Sequence, residues 1–443
     1  MKSDVVVIGG GIAGLATAAL LAREGKRVVV LEKGNQAGGR AYTYVDQGFT
    51  LNYGAHATYN PDTGPLGDIL RRLGRAPIPH GFPDPMRAYW SDGERFAPLG
   101  PKPHQLLTTG LFSPIDRARL ARAMLALRSE KPERLGDLTY GAWIARHTPA
   151  GAVRRFLRAL ATISTYHRAP DDLSAAYVLR QFQRDLFTKD YVGYMSGGWK
   201  TMYTAFIDEL RAGGGSLATG VTVERLETAG GRVAAAVAGG ERYEADAFVC
   251  TLPPQDAPSI AEPGSALADE LARWSGLQDV RAMTIDLGLS RVLRDDLYLA
   301  FDIERELYYS VHSDATPDLA PPGGMLLHCI AYLSPEDAAS ERLLDARHAE
   351  LLGGLDRFFP GWRDAVAVER TLRNARVSGA RQTPAQQGAA RVPQRSSSAE
   401  NLYFAGDARD LPYNIGELSL ASALDVAGAI VTAAKDARAA AVA

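Results

Sequence analysis

The chain has 443 residues, 46% of them hydrophobic and 23% charged, with a formal net charge of −2. That length allows a large core split between two domains, and the composition is ordinary for a soluble globular protein. The near-neutral charge balance excludes a basic nucleic-acid-binding surface, and two cysteines without C-x-x-C spacing exclude a disulfide framework.

Residues 5–8 are a run of β-branched side chains, the pattern of a strand buried on both faces. Gly9, Gly11 and Gly14 follow at G-x-G-x-x-G spacing, and the Ala/Leu-rich stretch 12–23, opening with Ile12 and Ala13, predicts a helix. A second buried strand over 28–31 ends at Glu32, with Lys33 after it. The first glycine permits the tight turn, the second lets a pyrophosphate approach the backbone, and the third lets helix and strand pack closely. The helix start offers unpaired N–H groups and a positive dipole end to phosphates. Glu32 lies 18 residues past Gly14, where a carboxylate accepts from adenosine ribose hydroxyls and disfavours the 2′-phosphate of NADP. The unit predicts a dinucleotide site without separating NAD from FAD.

Residues 33–59 form a loop rich in glycine and tyrosine. Proline-rich loops then alternate with an Arg/Leu helix at 113–128, with Ser113 as N-cap and Pro114 in the first turn. Further helices are expected within 135–188, including 151–163. Residues 196–227 read as glycine turn, helix, glycine turn and strand. The glycines at 213–215 follow a helix, so they predict a C-cap turn and not a second phosphate loop. Strands are expected at 232–237, 241–250, 280–289 and 326–332, and a helix at 340–358. A linker is expected over 376–400, and strand, loop and a long Ala-rich helix close the chain. No apolar run reaches 18 residues, so no membrane span is expected, and no signal peptide precedes the first strand. With Cys250 and Cys329 as the only thiols, a reducing, cytoplasmic setting is expected. The 8 histidines show no metal-ligand spacing, so no metal is expected.

From QAGGRAYTY onward the sequence resembles the superfamily of FAD-dependent monoamine oxidases, protoporphyrinogen oxidases and phytoene desaturase-like proteins. Their GGR motif is here Gly38, Gly39 and Arg40. SGGWKTMYTAF resembles the desaturase-type glycine pair, and GGSLATGVTVERL the strand whose valine, here Val223, lies on the adenine. VCTLPP, with Thr251 and Pro253, resembles the strand end that closes over the cofactor. NLYFAGD, with Gly406 and Asp407, resembles the motif whose acid contacts the ribitol–pyrophosphate region. The segment Gly54, Ala55 and His56 resembles the one that passes the isoalloxazine. GELSLASALDVAGAI resembles the last helix, whose N-terminus, here with Glu417, Leu418 and Ser419, points at the flavin ring. The marks run in order from residue 4 to about 430.

The resemblance implies FAD as cofactor and an α/β fold, α+β overall. A Rossmann-like FAD-binding domain is expected from 1–75, 190–275 and 390–443, with a discontinuous mixed α+β substrate-binding domain from 76–189 and 276–389. Arg40 is expected to give the phosphates a cation, and the last helix, from near Gly416, a positive dipole end for flavin N1–C2=O. Three departures point away from a typical amine oxidase. The strand matching the family's lysine-bearing strand, DVRAMTIDLGL, has Arg281 and no lysine; none occurs between Lys200 and Lys435. Ile415, or with a shift Tyr413, stands where amine oxidases tend to have an aromatic-cage tyrosine. Asp407 stands where glutamate is more usual.

The expected function is FAD-dependent dehydrogenation or desaturation of a lipophilic, isoprenoid-type small molecule, with hydride passing to flavin N5. With no second fingerprint for NADPH, oxygen or a quinone would reoxidise the flavin. The alternatives are a flavin amine or amino-acid oxidase, a protoporphyrinogen-type ring oxidase, a redox-neutral flavin isomerase, and a protein that holds FAD only structurally. No catalytic base is assigned. His56 is a candidate for base or substrate contact, set against a structural histidine. Tyr53, Tyr308, Tyr309 and His328 could line the substrate side, set against plain packing. The helix at 113–128 lies where phytoene desaturase-like proteins cover the substrate entrance and touch the membrane, which implies peripheral membrane contact as an alternative to ordinary packing.

Overall fold

The computed structural model describes residues 3–54, 56–93, 95–98, 109–185 and 192–442. Its first layer is a five-stranded parallel sheet in the order Ser216–Thr219, Val28–Glu32, Ser3–Ile8, Ala245–Cys250, Leu402–Phe404. Residues 5–8 are buried on both sides, as a β-branched run in a parallel sheet must be. One face carries the helices Ile12–Arg23, Lys200–Ala212 and Ile415–Val442. The other carries the antiparallel sheet Val223–Ala229, Arg232–Ala238, Glu241–Tyr243 and the helix Ala266–Ser275. The strand expected over 241–250 is therefore two strands in different sheets. Its polar first half, Glu241–Tyr243, stays at the surface, and its apolar second half enters the parallel sheet.

The second large sheet has seven strands, ordered Val366–Ser378, Val280–Leu289, Met325–Leu333, Leu307–Val311, Leu299–Asp302, Ala88–Ser91 and Phe96–Pro98. It is antiparallel except where Leu299–Asp302 runs parallel to Ala88–Ser91. The central strand Met325–Leu333 is buried along its whole length, which explains its unbroken apolar sequence. The helix Glu341–Phe358, capped by Ser340, covers one face. The helices Pro114–Ser129, Tyr140–His147, Ala152–Thr165 and Ala175–Asp185 cover the other. The Ser113 hydroxyl accepts from Asp116 N at 3.2 Å, the N-cap its sequence predicts.

The expected linker is folded. Residues 376–378 still belong to the strand Val366–Ser378, and the rest of the expected linker is packed, with Arg381, Gln382, Arg391 and Ser396 buried. Its serines bond to a protein carboxylate: Glu270 accepts from Ser396 Oγ at 2.5 Å, Ser397 N at 2.8 Å and Ser398 N at 3.0 Å. The last helix also contains a stretch, Ile415–Ala437, long and apolar enough by length and composition to cross a membrane. Of its most apolar window 56% is buried inside the molecule, against the helices Ile12–Arg23 and Pro65–Leu73.

Candidate active site

The glycine loop follows its sequence logic. Gly9 has φ +107°, and the Thr251 hydroxyl donates across it to the carbonyls of Ile8 at 2.9 Å and Gly9 at 3.2 Å. A Cβ on Gly14 would overlap the Gly9 carbonyl oxygen, whereas one on Gly11 would meet nothing within 4 Å. The third glycine thus serves packing and the second faces open space. No side chain caps the helix that begins at Ile12 and Ala13, so its first N–H groups are left for a ligand. Glu32 Oε2 accepts from Gly10 N and Oε1 from Gly34 N, both at 2.6 Å, so the carboxylate also braces the loop. Two of its roughly four acceptor sites are used, and a ribose hydroxyl can still be accepted. Lys33 is exposed. Gly38 N donates to Gly10 O at 2.8 Å, and Gly39 packs on Gly11. Val221 N donates to Glu32 O at 2.9 Å, which brings the buried Val223 to the same end of the sheet.

Arg40 is not a lone cation. Its guanidinium donates to both oxygens of Asp407, at 2.7 and 2.9 Å, and to the Val377 carbonyl at 2.8 Å. Burial pushes the Asp407 carboxyl up, but Arg40 and the Gly379 N–H outweigh it and hold the group below the usual carboxylate range. The Arg40 side chain keeps 38% exposure, so the paired fork still presents N–H donors to the cleft that it lines with Thr251, Pro253 and Gly406.

A second cleft opens at the start of the last helix, lined by Gly54, His56, Tyr59, Tyr166, Trp199, Ile415 and Glu417. Trp199 Nε1 donates to the His56 carbonyl at 3.0 Å, and its ring lies where a Cβ on Gly416 would be. Glu417 Oε2 accepts from Arg184 at 2.6 Å. Burial pushes the Glu417 carboxyl up to about 7 in spite of Arg184. Leu418 is buried and the Ser419 hydroxyl turns back to Ile415 O at 3.2 Å, so neither side chain reaches the cleft. Ala55 lies outside the described residues.

His56 and His328 meet on Asp286, a residue the sequence reading passed over. The signal was present: a lone acid in the apolar strand VRAMTIDLGL. Asp286 Oδ2 also takes Arg370 at 2.6 Å. Burial pushes the Asp286 carboxyl up, yet His328 and His56 hold it well below the usual range. Burial and neighbouring His328 push His56 down to about 4. The other aromatic candidates scatter. Tyr309 is in the core, its hydroxyl on Leu351 O at 3.0 Å; Tyr308 lies 3.4 Å from the Tyr194 hydroxyl; Tyr53 is 43% exposed. Arg281 turns to Asp279 and Asn374, and Tyr413 lies under Arg184, which leaves Ile415 at the cleft.

Residues 12–431 match the model of the flavin containing amine oxidoreductases. The chain belongs to that family. It is therefore an FAD-dependent oxidoreductase with the family's mixed α/β fold, and the uncapped helix start and the open approach at Gly11 suit the cofactor. An all-trans-retinol 13,14-reductase from Macaca fascicularis is 47% identical over 69 residues, 16% of this chain and 11% of that one. The chain thus matches about a tenth of that curated relative's length. Among solved structures, an oxidoreductase from Methanosarcina mazei aligns with TM-score 0.79 at 21% identity, over 96% of this chain and 99% of that one. Putrescine oxidase bound to putrescine aligns with TM-score 0.74 at 14% identity, over 98% and 99%. At such identities both share the fold with this family member.

Proposed function

We propose that this flavoprotein dehydrogenates a lipophilic small molecule, long and largely apolar in the manner of an isoprenoid, in the cleft at the start of the last helix. One observation carries the reading. Among the described residues the cleft wall is built from Leu66, Tyr166, Trp199, Val377, Ile415 and Leu420, and the one carboxylate lining it, Glu417, is already held by Arg184. An ammonium group entering there would have to compete with a guanidinium, and among the described residues no lysine lines the cleft. The short match to a retinol reductase supports a substrate of this type. The exposed Ile115 (65%) and Leu125 (67%), on a helix that also carries Arg119 and Arg122, support delivery from a lipid surface.

The chain's own groups would hold the cofactor in a definite order. Gly11 and the N–H groups at Ile12 and Ala13 take the diphosphate, Glu32 the ribose, Val223 the adenine, and the Arg40–Asp407 pair the ribitol side. The helix start at Gly416 and Glu417 meets the flavin ring. FAD, when bound, supplies a two-electron acceptor that oxygen or a quinone can reoxidise. The protein's part is to orient the reacting C–H bond and exclude water.

Amine oxidation is the second reading, and Glu417 favours it. With Asp185 and Arg184 it makes a buried group of one net negative charge beside the cleft when ionised. The test is anaerobic flavin absorbance, titrated with polyenes and isoprenoid alcohols in micelles and with primary and secondary amines in buffer. Bleaching by a lipophilic compound supports the first reading, and bleaching by amines alone overturns it.

A further inference from the structure

Asp286 holds two imidazoles beneath the cleft, and a third lies beside them. Its Oδ1 lies 3.1 Å from His56 Nε2 and 2.7 Å from His328 Nδ1, and Oδ2 accepts from Arg370 at 2.6 Å. Arg370 also donates to the Asn52 carbonyl, and the rings of Tyr44 and Tyr53 flank it at 5.6 and 5.5 Å. His56 and His328 stack with centroids 3.6 Å apart. His312 lies 5.3 and 5.2 Å from them and is itself stacked on Tyr194 at 4.3 Å. An ionised carboxylate only accepts, so both ring nitrogens that face it carry hydrogen. His56 is thereby the Nε2–H tautomer, and its Nδ1 is an acceptor on a ring that lines the cleft. Among the described residues no hydrogen bond to that nitrogen is made.

We propose that Asp286, clamped by Arg370, is a positioning residue that fixes the His56 tautomer, and that His56 Nδ1 accepts the proton released when the substrate is oxidised. The proposal rests on the dehydrogenation reading above. Two bonds to hydrogen break and one π bond forms in the substrate. The flavin, when bound, would supply the two-electron acceptor for the hydride, and the proton forms a bond to Nδ1, giving an imidazolium that later returns it to solvent. Two imidazolium rings stacked at 3.6 Å would repel strongly, so the His56–His328 unit holds one proton at a time. The three side chains could also be read as metal ligands, their donor atoms lying within 4.8 Å of one another. Arg370 on the same carboxylate opposes a dication there.

The test uses the full chain labelled with 15N-histidine, without and with FAD. The His56 resonances, identified by their loss in His56→Gln, are expected to report a neutral Nε2–H ring at pH 7, and Asp286→Asn is expected to redistribute the tautomers. A His56 that is Nδ1–H or protonated at pH 7 overturns the proposal, as does a stoichiometric metal in the purified protein that Asp286→Asn removes. Asp286→Asn strands Arg370 and risks unfolding, so His56→Gln, which keeps an N–H toward Asp286, is the second variant. In the FAD-loaded protein His56→Gln is expected to keep its flavin and to be reduced about 100-fold more slowly by a compound that bleaches the parent. A rate within about twofold of the parent overturns the proton-accepting role. If nothing lipophilic bleaches the parent, the function reading fails on its own, and the tautomer measurement still decides the placement of His56.

Discussion

Single residues around the glycine loop carry two duties, and substitutions there should separate them. Gly14→Ala pushes a methyl into the Gly9 carbonyl, and overpacking of this kind costs about 1–3 kcal/mol. A lower melting temperature together with weak flavin retention on gel filtration is expected. Wild-type values for both would mean that the helix and loop are not so close. Glu32→Ala removes the acceptor of two backbone N–H groups as well as the ribose contact. Hydrogen bonds to a charged group contribute about 1.5–3 kcal/mol each, so it should lose stability even without FAD. Arg40→Ala leaves Asp407 buried without its partner, for which a cost of about 3 kcal/mol is reasonable. Denaturant unfolding of the apoproteins checks both. The loop itself was legible in the sequence because glycine spacing and the terminal acid are local signals. The Arg40–Asp407 pair joins residues 367 positions apart, and nothing in local spacing announces that a presumed phosphate cation spends its fork on a carboxylate.

At the scale of elements, strands and helices with strong periodicity and Ser caps fall where the sequence puts them. The packed linker has a specific cause. The polar segment over 379–400 has the composition of a free linker, yet it is ordered by Glu270, whose carboxylate takes hydroxyls and backbone N–H groups from Ser396, Ser397 and Ser398. Composition reports how many polar groups a segment has, not whether a buried partner awaits them. Glu270→Ala should therefore free this segment while sparing the two sheets. Limited trypsin digestion is expected to cut at Arg391 or Arg395 in the variant much faster than in the parent. Equal rates would show that the serines do not hold it. Likewise the helix Glu341–Phe358 approaches the large sheet at Gly354, where a Cβ would strike the Tyr309 ring. Gly354→Val should cost more stability than a surface substitution on the same helix.

For the whole molecule, buried titratable groups set how stability depends on pH. Burial is the largest cause in each case and holds His56 down to about 4, His167 to about 3 and His312 well below the ordinary range. Each takes up a proton in the unfolded chain near 6.5 that the native state refuses, so each contributes stability above that pH and loses it as pH falls. Glu417, raised to about 7, acts in the opposite sense: it stabilises at low pH and loses that contribution as pH rises through 7. Between pH 4.5 and 6.5 the buried histidines, His80 among them, outweigh Glu417, and unfolding takes up protons net. Stability should therefore fall on acidification across that window. Denaturant unfolding between pH 4.5 and 7 checks this, and a flat profile would contradict the burial of these histidines. The same scale shows where the sequence stops speaking. His56 and His328 were visible as candidates, but Asp286 and Arg370 join them only because the strands Val280–Leu289, Met325–Leu333 and Val366–Ser378 lie side by side with Asp286 opposite His328 and Arg370.

The apolar cleft at the start of the last helix, with that cluster beneath it, supports our proposal that a lipophilic molecule is oxidised there. The most direct measurement is a single anaerobic turnover, with flavin absorbance and product mass read on the same sample. A lipophilic compound two mass units lighter, formed with one equivalent of bleached flavin, is the predicted result. Flavin bleached by an amine, but left oxidised by every lipophilic compound, each recovered unchanged, would contradict it.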